Sequence, residues 1–439
     1  MKYFLAILGG GPAGYTAAEK ASKAGKDVVL FEQNSLGGTC LNVGCIPTKT
    51  LLYSAKQYYN STHADKYGVK AENVTFDYVK IFQRKQKVVR KLVAGIRAKL
   101  NNEHCSVVTG AASVVSRTDD RVVVECNGEQ YEAENLLICT GSTNFVPPIP
   151  GIQDNPHIWD STTALAAQEL PESIVIVGGG VIGMEFATLY HELGVPVTII
   201  EAMPTILPNL DQEVVSILCD KYMKEGINIL TDTKVTQIEQ GKVITTNGEY
   251  EADKILISVG RRSNMQGLET LTDLACDRGI FVDDFMKTNL NNVYAAGDVT
   301  GKIMLAHVAS RQAEVAVGRM LKQIPVQRIN YNAIPSVVYT NPEIASVGLT
   351  EAQTDCDIHR LPMTFSGRFV AENEGETGLC KMLIDKKNQT IIGVHMIGNP
   401  CSEFIAAASF AVRMGYTVPE FQQVVFPHPT VSEILKEVL

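Results

Sequence analysis

Two stretches of the chain carry the same succession of apolar and polar positions. Residues 2–8 and 173–177 are short apolar runs, the pattern of a parallel strand buried on both faces. Each run feeds directly into glycines: Gly9, Gly11 and Gly14 in the first copy, Gly178, Gly180 and Gly183 in the second. An amphipathic, Ala-rich stretch follows each time and is closed by Gly25 or Gly194, a glycine just past the last apolar position being a helix stop. A second apolar run then ends on an acid, Glu32 or Glu201. Gly9 to Gly25 and Gly178 to Gly194 both span 16 positions, and Gly14 to Glu32 and Gly183 to Glu201 both span 18. Four landmarks in one register define an internal repeat of strand, glycine turn, helix and strand.

The two halves differ in length. Further strands end at Thr140-Gly141 and at Gly260-Arg261, so Gly14 to Gly141 spans 127 positions against 77 from Gly183 to Gly260. The first half therefore holds an insertion, predicted as a helix pair across residues 40–104. After residue 331 short strands take over (Val337 to Tyr339, Leu379 to Ile384, Thr390 to Val394), then a helical run from Glu403 to Met414 and a final helix. That is an α+β domain. The expected class is α/β, with two Rossmann-like dinucleotide-binding domains and a C-terminal α+β domain. The run at residues 2–8 stops at Gly9 with no small-residue cleavage site after it, which reads as a buried strand and not a secretory signal. No run approaches the ~18 apolar residues of a membrane helix. The expectation is a soluble, cytoplasmic protein that neither spans nor binds a membrane.

Composition agrees with a globular chain of about three domains, at 439 residues with 45% hydrophobic and 20% charged. The net charge of -9 argues against nucleic acid as a partner, because phosphate binding rests on Lys and Arg. Ten cysteines lie at irregular spacing; eight read as buried small hydrophobes. Cys40 and Cys45 read differently.

In each glycine turn the first glycine permits the tight turn, the second lets backbone approach a pyrophosphate, and the third brings helix close to strand. The helix N-terminus then faces the phosphates with about half a positive charge. Glu32 and Glu201 are placed to accept a hydrogen bond from a ribose 2'-hydroxyl. A 2'-phosphate would be repelled by Glu201, and residues 202–220 contain no Lys or Arg, so NAD is favoured over NADP. The segment from Gly37 to Lys49 carries the sharpest signal. Two cysteines five apart beside a helical turn can close a small, exchangeable disulfide. A helix start would stabilise a thiolate at Cys45, and Lys49, one turn further on, adds a positive charge. Two buried cysteines and a surface lysine are the bland alternative, and a zinc site lacks further ligands nearby. On local physics alone His428 beside two prolines reads as a loop residue, and Thr430-x-x-Glu433 as a capping box.

Taken together, the cysteine segment, the paired glycine turns, Cys139-Thr140-Gly141, Ala296-Gly297-Asp298 and His428-Pro429-Thr430-Val431-Ser432-Glu433 resemble the flavin-dependent pyridine nucleotide-disulfide oxidoreductases. The match runs the length of the chain in order. The resemblance implies FAD at the first glycine turn, with Asp298 against its ribityl and phosphate region, and NAD at the second. It implies cofactor contacts from Gly9, Gly11, Pro12, Ala13, Gly14, Glu32, Gly38, Thr39, Lys49, Thr140, Gly141, Ser142, Gly178, Gly180, Gly183, Glu201, Gly260, Arg261, Gly297 and Asp298. Cys45 would be the flavin-side sulfur of a redox-active disulfide and Cys40 the exchanging one. Lys49 would pair with Glu185. His428 would be the acid/base, oriented by Glu433 and supplied across a homodimer interface. Residues 1–147 and 262–330 would form the FAD domain, 148–261 the NAD domain, and 331–439 the dimerisation domain.

Within the family, Glu201 disfavours the NADP-dependent, glutathione-reductase-like members. No vicinal cysteine pair follows Cys401, unlike the mercuric-reductase-like members. The stretch from Tyr339 to Leu349 is similar to the branch that oxidises protein-bound dihydrolipoamide. The implied partner is then a lipoyl-bearing protein of a 2-oxoacid dehydrogenase or glycine-cleavage complex. A structural or docking subunit of such a complex is the alternative from another class. Departures from the family pattern are Phe426, where many members have another His, and Ser263, which replaces a common Pro.

Overall fold

The apolar run at the N-terminus is the strand Lys2–Leu8, in which Leu5, Ala6 and Ile7 are fully buried. The computed structural model describes residues 2–323 and 328–439, and the chain divides into two compact units.

One unit comprises Met1–Thr50, Phe82–Phe145 and Gly260–Ile329. Its sheet has the order Cys105–Thr109, Val28–Glu32, Lys2–Leu8, Glu129–Ile138, Val122–Cys126, Ala112–Arg117, with Val293–Ala295 also pairing with Glu129–Ile138. Lys2–Leu8 runs parallel to both neighbours, so the first glycine turn leaves the sheet where the strand order reverses, the place where doubly wound folds bind ligands. Glu129–Ile138 is long because one of its edges pairs with Lys2–Leu8 while the other serves two partners in turn. Its end pairs parallel with Val293–Ala295, and its start pairs antiparallel with Val122–Cys126. The helix Pro12–Lys23 buries Ala13, Gly14, Ala17, Ala18 and Ala21, small residues that let it lie close to the strands and to the helix Ala306–Met320 in one core.

The other unit comprises Leu51–Ile81, Val146–Val259 and Asn330–Leu439. It holds a five-stranded parallel sheet in the order Asn228–Leu230, Val197–Ile200, Ile174–Val177, Lys254–Ile257, Ile158–Trp159. A three-stranded antiparallel sheet spans Val235–Glu251. The C-terminal sheet is antiparallel, in the order Ser336–Val338, Ile344–Gly348, Ile391–Ile397, Leu379–Ile384, Asp357–Pro362.

The helix after the second glycine turn, Val181–Glu192, differs from the amphipathic expectation: nine of its twelve residues are buried. Met184, Phe186, Leu189 and Tyr190 share a core with Val338, Ile344, Leu379 and Ile397 of the C-terminal sheet. The face that the repeat pattern leaves to solvent is covered by a second layer of the same unit. The final helix is one turn, Ile434–Glu437, docked through Ile434 and Leu435.

Candidate functional site

The two glycine turns have the same internal geometry. Gly9 and Gly178 sit at φ +102° and +109°, and a Cβ on either would strike the carbonyl oxygen of Cys139 at 2.2 Å or of Ser258 at 2.7 Å. A Cβ on Gly14 would come within 1.8 Å of the Gly9 oxygen, and one on Gly183 within 2.0 Å of the Gly178 oxygen. These four positions are closed by backbone. The middle glycines are open: a Cβ on Gly11 meets only the Gly38 Cα at 3.8 Å, and one on Gly180 meets nothing within 4 Å. Space lies in front of a helix N-terminus in each turn, the cradle that a dinucleotide pyrophosphate requires.

Glu32 and Glu201 are built alike. Glu32 accepts the Gly10 N–H at 2.8 Å and the Asn34 N–H at 2.8 Å, one on each carboxylate oxygen. Glu201 accepts the Gly179 N–H at 2.7 Å and the Met203 N–H at 2.8 Å in the same way. Each acid therefore ties its glycine turn to the end of the second strand. A carboxylate offers about four acceptor sites, so two remain for a ribose hydroxyl.

The cysteine segment packs onto the first turn. Gly37 donates its N–H to the Gly10 carbonyl at 2.8 Å, and a Cβ on Gly38 would lie 2.7 Å from the Gly11 Cα. Cys40 lies in the short helix Gly38–Val43, Gly44 breaks it at φ -150° and ψ -112°, and Cys45 is the first residue of the helix Cys45–Thr62. That break folds the two thiols together. Cys40 is in hydrogen-bonding contact with Cys45, and this contact, then burial and the charge of Cys45, push its thiol far above the usual range, with Lys49 pulling the other way. Cys45 sits where the helix N-terminus favours a thiolate, and it is the better leaving sulfur of the two.

Around the pair the first unit contributes Tyr15 and Gln312, which local motifs did not announce, beside the Thr140, Ser142, Arg261 and Asp298 that the resemblance implied. Tyr15 is half-buried, and burial followed by the charges of Cys40 and Cys45 raises its phenol. No sequence signal marks it, since an aromatic in the first turns of a helix is ordinarily core. Asp298 accepts the Ser142 hydroxyl at 2.6 Å. Arg261 donates to the Ser142 hydroxyl and carbonyl oxygens at 2.8 Å each and to Asn144. Arg261 thus lies on a strand paired with Ser142–Asn144 in the first unit. Ser263, the departure from the family pattern, donates to the Asp298 carbonyl at 3.0 Å. Gln312, fully buried, accepts the Gly297 N–H at 2.7 Å and holds that loop. Thr140 donates to the Asn264 carbonyl at 2.6 Å.

In the second unit, Glu185 is buried at 5% exposure on the helix after the second turn and accepts the Tyr339 N–H at 3.2 Å. His428 is on a loop with its side chain 80% exposed. Its Nδ1 lies 3.0 Å from Glu433 Oε1, while Glu433 Oε2 accepts the Thr430 N–H at 2.8 Å. The Thr430 backbone and then His428 hold the Glu433 carboxyl below its ordinary range. The two readings of this motif are both present in one carboxylate, one oxygen closing the turn and the other orienting the imidazole. An ionised carboxylate only accepts, so Nδ1 carries the proton and Nε2 is left as the base. Phe426 packs edge-on against Phe421, ring centroids 5.9 Å apart.

Comparisons with known proteins identify a family. Residues 3–313 match the family model of the pyridine nucleotide-disulphide oxidoreductases, and residues 334–439 match that family's dimerisation domain. The chain belongs to the pyridine nucleotide-disulphide oxidoreductase family, whose members use FAD and NAD(H). Among curated relatives, it is 37% identical over 444 residues to a dihydrolipoyl dehydrogenase of Chlamydia muridarum, covering 98% of this chain and 95% of the relative. It is 37% identical to the dihydrolipoyl dehydrogenase of Mycoplasma genitalium, covering 100% and 98%, and 37% identical to one of Bacillus subtilis, covering 99% and 97%. Solved structures that resemble it include LpdA from Mycobacterium tuberculosis, with TM-score 0.92, 26% identity and 99% and 98% coverage. A Cu(II) complex of the HOCl-induced flavoprotein disulfide reductase RclA from Escherichia coli has TM-score 0.88, 29% identity and 100% and 99% coverage. The dimerisation domain supports a homodimer. Among the described residues, no helix is long and apolar enough to cross a membrane.

Proposed function

We propose that the protein oxidises protein-bound dihydrolipoamide to lipoamide and reduces NAD, with Cys40 and Cys45 as the exchanging pair. The observation that carries this reading is the contact of the two sulfurs across the Gly44 break, with Cys45 at a helix N-terminus. The dihydrolipoyl dehydrogenases at 37% identity over nearly the whole chain support the choice of substrate and of NAD.

FAD would be held by Gly9, Gly11, Gly14, Glu32, Gly38, Thr39, Ser142 and Asp298, and NAD by Gly178, Gly180, Gly183 and Glu201. Bound FAD supplies two-electron acceptance between thiols and nicotinamide. The chain's own residues manage sulfur and proton. Nε2 of His428, contributed across the homodimer, takes the proton of a substrate thiol, and Glu433 fixes the tautomer that makes this nitrogen an acceptor. The substrate thiolate attacks the Cys40 sulfur of the oxidised pair. The Cys40–Cys45 bond breaks, and Cys45 leaves as a thiolate stabilised by its helix N-terminus and Lys49. The second substrate thiol then closes on the mixed disulfide, so lipoamide departs and the protein keeps two electrons and two protons as its dithiol. Lys49 would pair with Glu185 beside the flavin. The enzyme would work in the cytoplasm on a lipoyl-bearing subunit of a 2-oxoacid dehydrogenase or glycine-cleavage complex.

The test is turnover by the purified protein. Dihydrolipoamide with NAD is the expected pair, and Cys45→Ser abolishes the reaction. Preference for glutathione disulfide, or for NADPH over NADH, would assign it to a different branch of the family. A yellow protein that turns over without any partner eliminates the docking-subunit reading.

A further inference from the structure

One element runs against the charge of the whole chain. The helix Tyr78–Leu100 contains eight Lys and Arg and no Asp or Glu, so all 48 acids of a chain with net charge -9 lie elsewhere. Its apolar side is anchored by the buried Phe82, Ile96 and Leu100. The opposite side exposes Arg84, Lys87, Arg90, Lys91 and Arg97. At 3.6 residues per turn Arg84, Lys87 and Lys91 share one stripe and Arg90 and Arg97 flank it.

Near the helix start Lys80 meets Asp77 at 3.4 Å, and near its end Lys99 meets Glu19 at 3.8 Å. Among the described residues, Lys87, Arg90, Lys91 and Arg97 have no carboxylate within 4 Å. Like charges three and four residues apart, as at Lys87, Arg90 and Lys91, destabilise a helix. A solubilising surface would intersperse both signs; this one does not. The basic face is also tied to the reacting sulfurs. Arg84 donates to the Thr50 carbonyl at 2.9 Å, and Thr50 lies in the helix that begins at Cys45, roughly 7–8 Å along its axis.

We infer that the exposed face of this helix receives the acidic protein domain that carries the dithiol substrate to Cys40. The inference rests on the proposed reaction and adds the surface that selects its carrier. A compact acidic domain can sit on one helix face. An extended nucleic acid or a flat anionic membrane would also meet the rest of a chain whose net charge is -9 and be repelled. A one-sign patch beside a reaction site raises encounter rates by 10–10³ at low ionic strength.

The test compares the full-length holoenzyme with K87E/R90E/K91E and with the milder K87Q/R90Q/K91Q. The substrates are a separately expressed, reduced lipoyl domain of net negative charge, the same domain with its surface acids converted to amides, and free dihydrolipoamide. At low salt, kcat/KM on the acidic domain should fall at least about tenfold in the charge-reversed enzyme and by less in the neutralised one. The wild type's preference for the acidic over the amidated domain should vanish at roughly 0.5 M salt, where charges a few ångströms apart are screened. Turnover of free dihydrolipoamide should stay within twofold. Equal kcat/KM on both domains, an equal loss on free dihydrolipoamide, or binding of phosphatidylglycerol vesicles or self-association through this face would each overturn the inference. Wild-type enzyme inactive on every dihydrolipoyl substrate would instead refute the proposed reaction, and the inference with it.

Discussion

A single methyl group separates the architectural glycines from the ligand-facing ones. Gly180 has φ -76° and ψ -178°, a backbone that any residue adopts, and a Cβ there meets nothing within 4 Å. Gly180→Ala should therefore fold normally. Losing glycine's flexibility in the unfolded chain contributes about 0.4–1 kcal/mol, while Ala at a helix N-cap costs a similar amount. The net change stays within about 1 kcal/mol, or roughly 2–4 °C of melting midpoint in a domain of 150–250 residues. The same methyl stands where a pyrophosphate must approach the backbone, and overpacking of about 1–3 kcal/mol predicts a KM for NAD raised roughly 5- to 150-fold with kcat little changed. Gly183→Ala is the opposite case, since its Cβ would lie 2.0 Å from the Gly178 oxygen and 2.9 Å from Ser258 Oγ. It should lower the melting midpoint by more than about 5 °C. Differential scanning fluorimetry and NAD titration at fixed dihydrolipoamide read both effects. Gly180→Ala with an unchanged KM for NAD, or with the larger loss of stability, would refute the reasoning.

Three further perturbations follow from other parts of the structure. Glu192 is buried and its carboxyl, held by burial against the Asn341 amide donating at 2.8 Å, is pushed from 4.5 up to about 7. An acid with a raised folded value favours the fold fully below pH 4.5 and loses that contribution as pH rises through about 7. The loss is about 3 kcal/mol, so Glu192→Gln should melt above the wild type at pH 8 and not at pH 4; equal differences at both would exclude it. Lys381, its side chain 2% exposed, lies 2.9 Å from Asp211, 2.9 Å from Glu213 and 2.6 Å from Glu351. Lys381→Met strands the buried Asp211 carboxylate and should cost about 3–5 kcal/mol, measured as a lower denaturation midpoint. Glu433→Gln cannot accept from both the Thr430 N–H and the His428 Nδ1–H. It should cut dihydrolipoamide turnover by about ten- to a hundredfold, less than the 10²–10⁴ of a missing acid–base group, while bleaching of the flavin by NADH keeps its rate.

What the sequence disclosed was whatever local spacing determines. Three glycines at fixed intervals encode the turn, the opening and the close helix contact, and all six behave as that rule requires. The acid after each second strand was also legible, although its two backbone hydrogen bonds were not, because they depend on how the strand ends. Burial of the helix Val181–Glu192 on nearly every side was not legible, since the sheet that covers it begins some 140 residues later. The antiparallel strands Ala112–Arg117 and Val122–Cys126 escaped notice because half-exposed strands carry a weaker apolar signal than buried parallel ones. Tyr15, Gln312 and Arg84 act through partners remote in sequence, and no motif announces them. The capping box at Thr430 and Glu433 was legible from local spacing, while the hold of Glu433 on His428 was implied only by the family resemblance; one carboxylate makes both contacts.

The central claim is that Cys40 and Cys45 alternate between dithiol and disulfide during turnover. Peptide mass spectrometry after rapid alkylation tests it directly. Enzyme treated with excess NAD and quenched should yield a peptide containing both residues, unalkylated and short of two hydrogens. Enzyme treated with dihydrolipoamide and no NAD should yield the same peptide alkylated at both sulfurs. If the two cysteines show the same alkylation state under both conditions while turnover proceeds, the account is wrong.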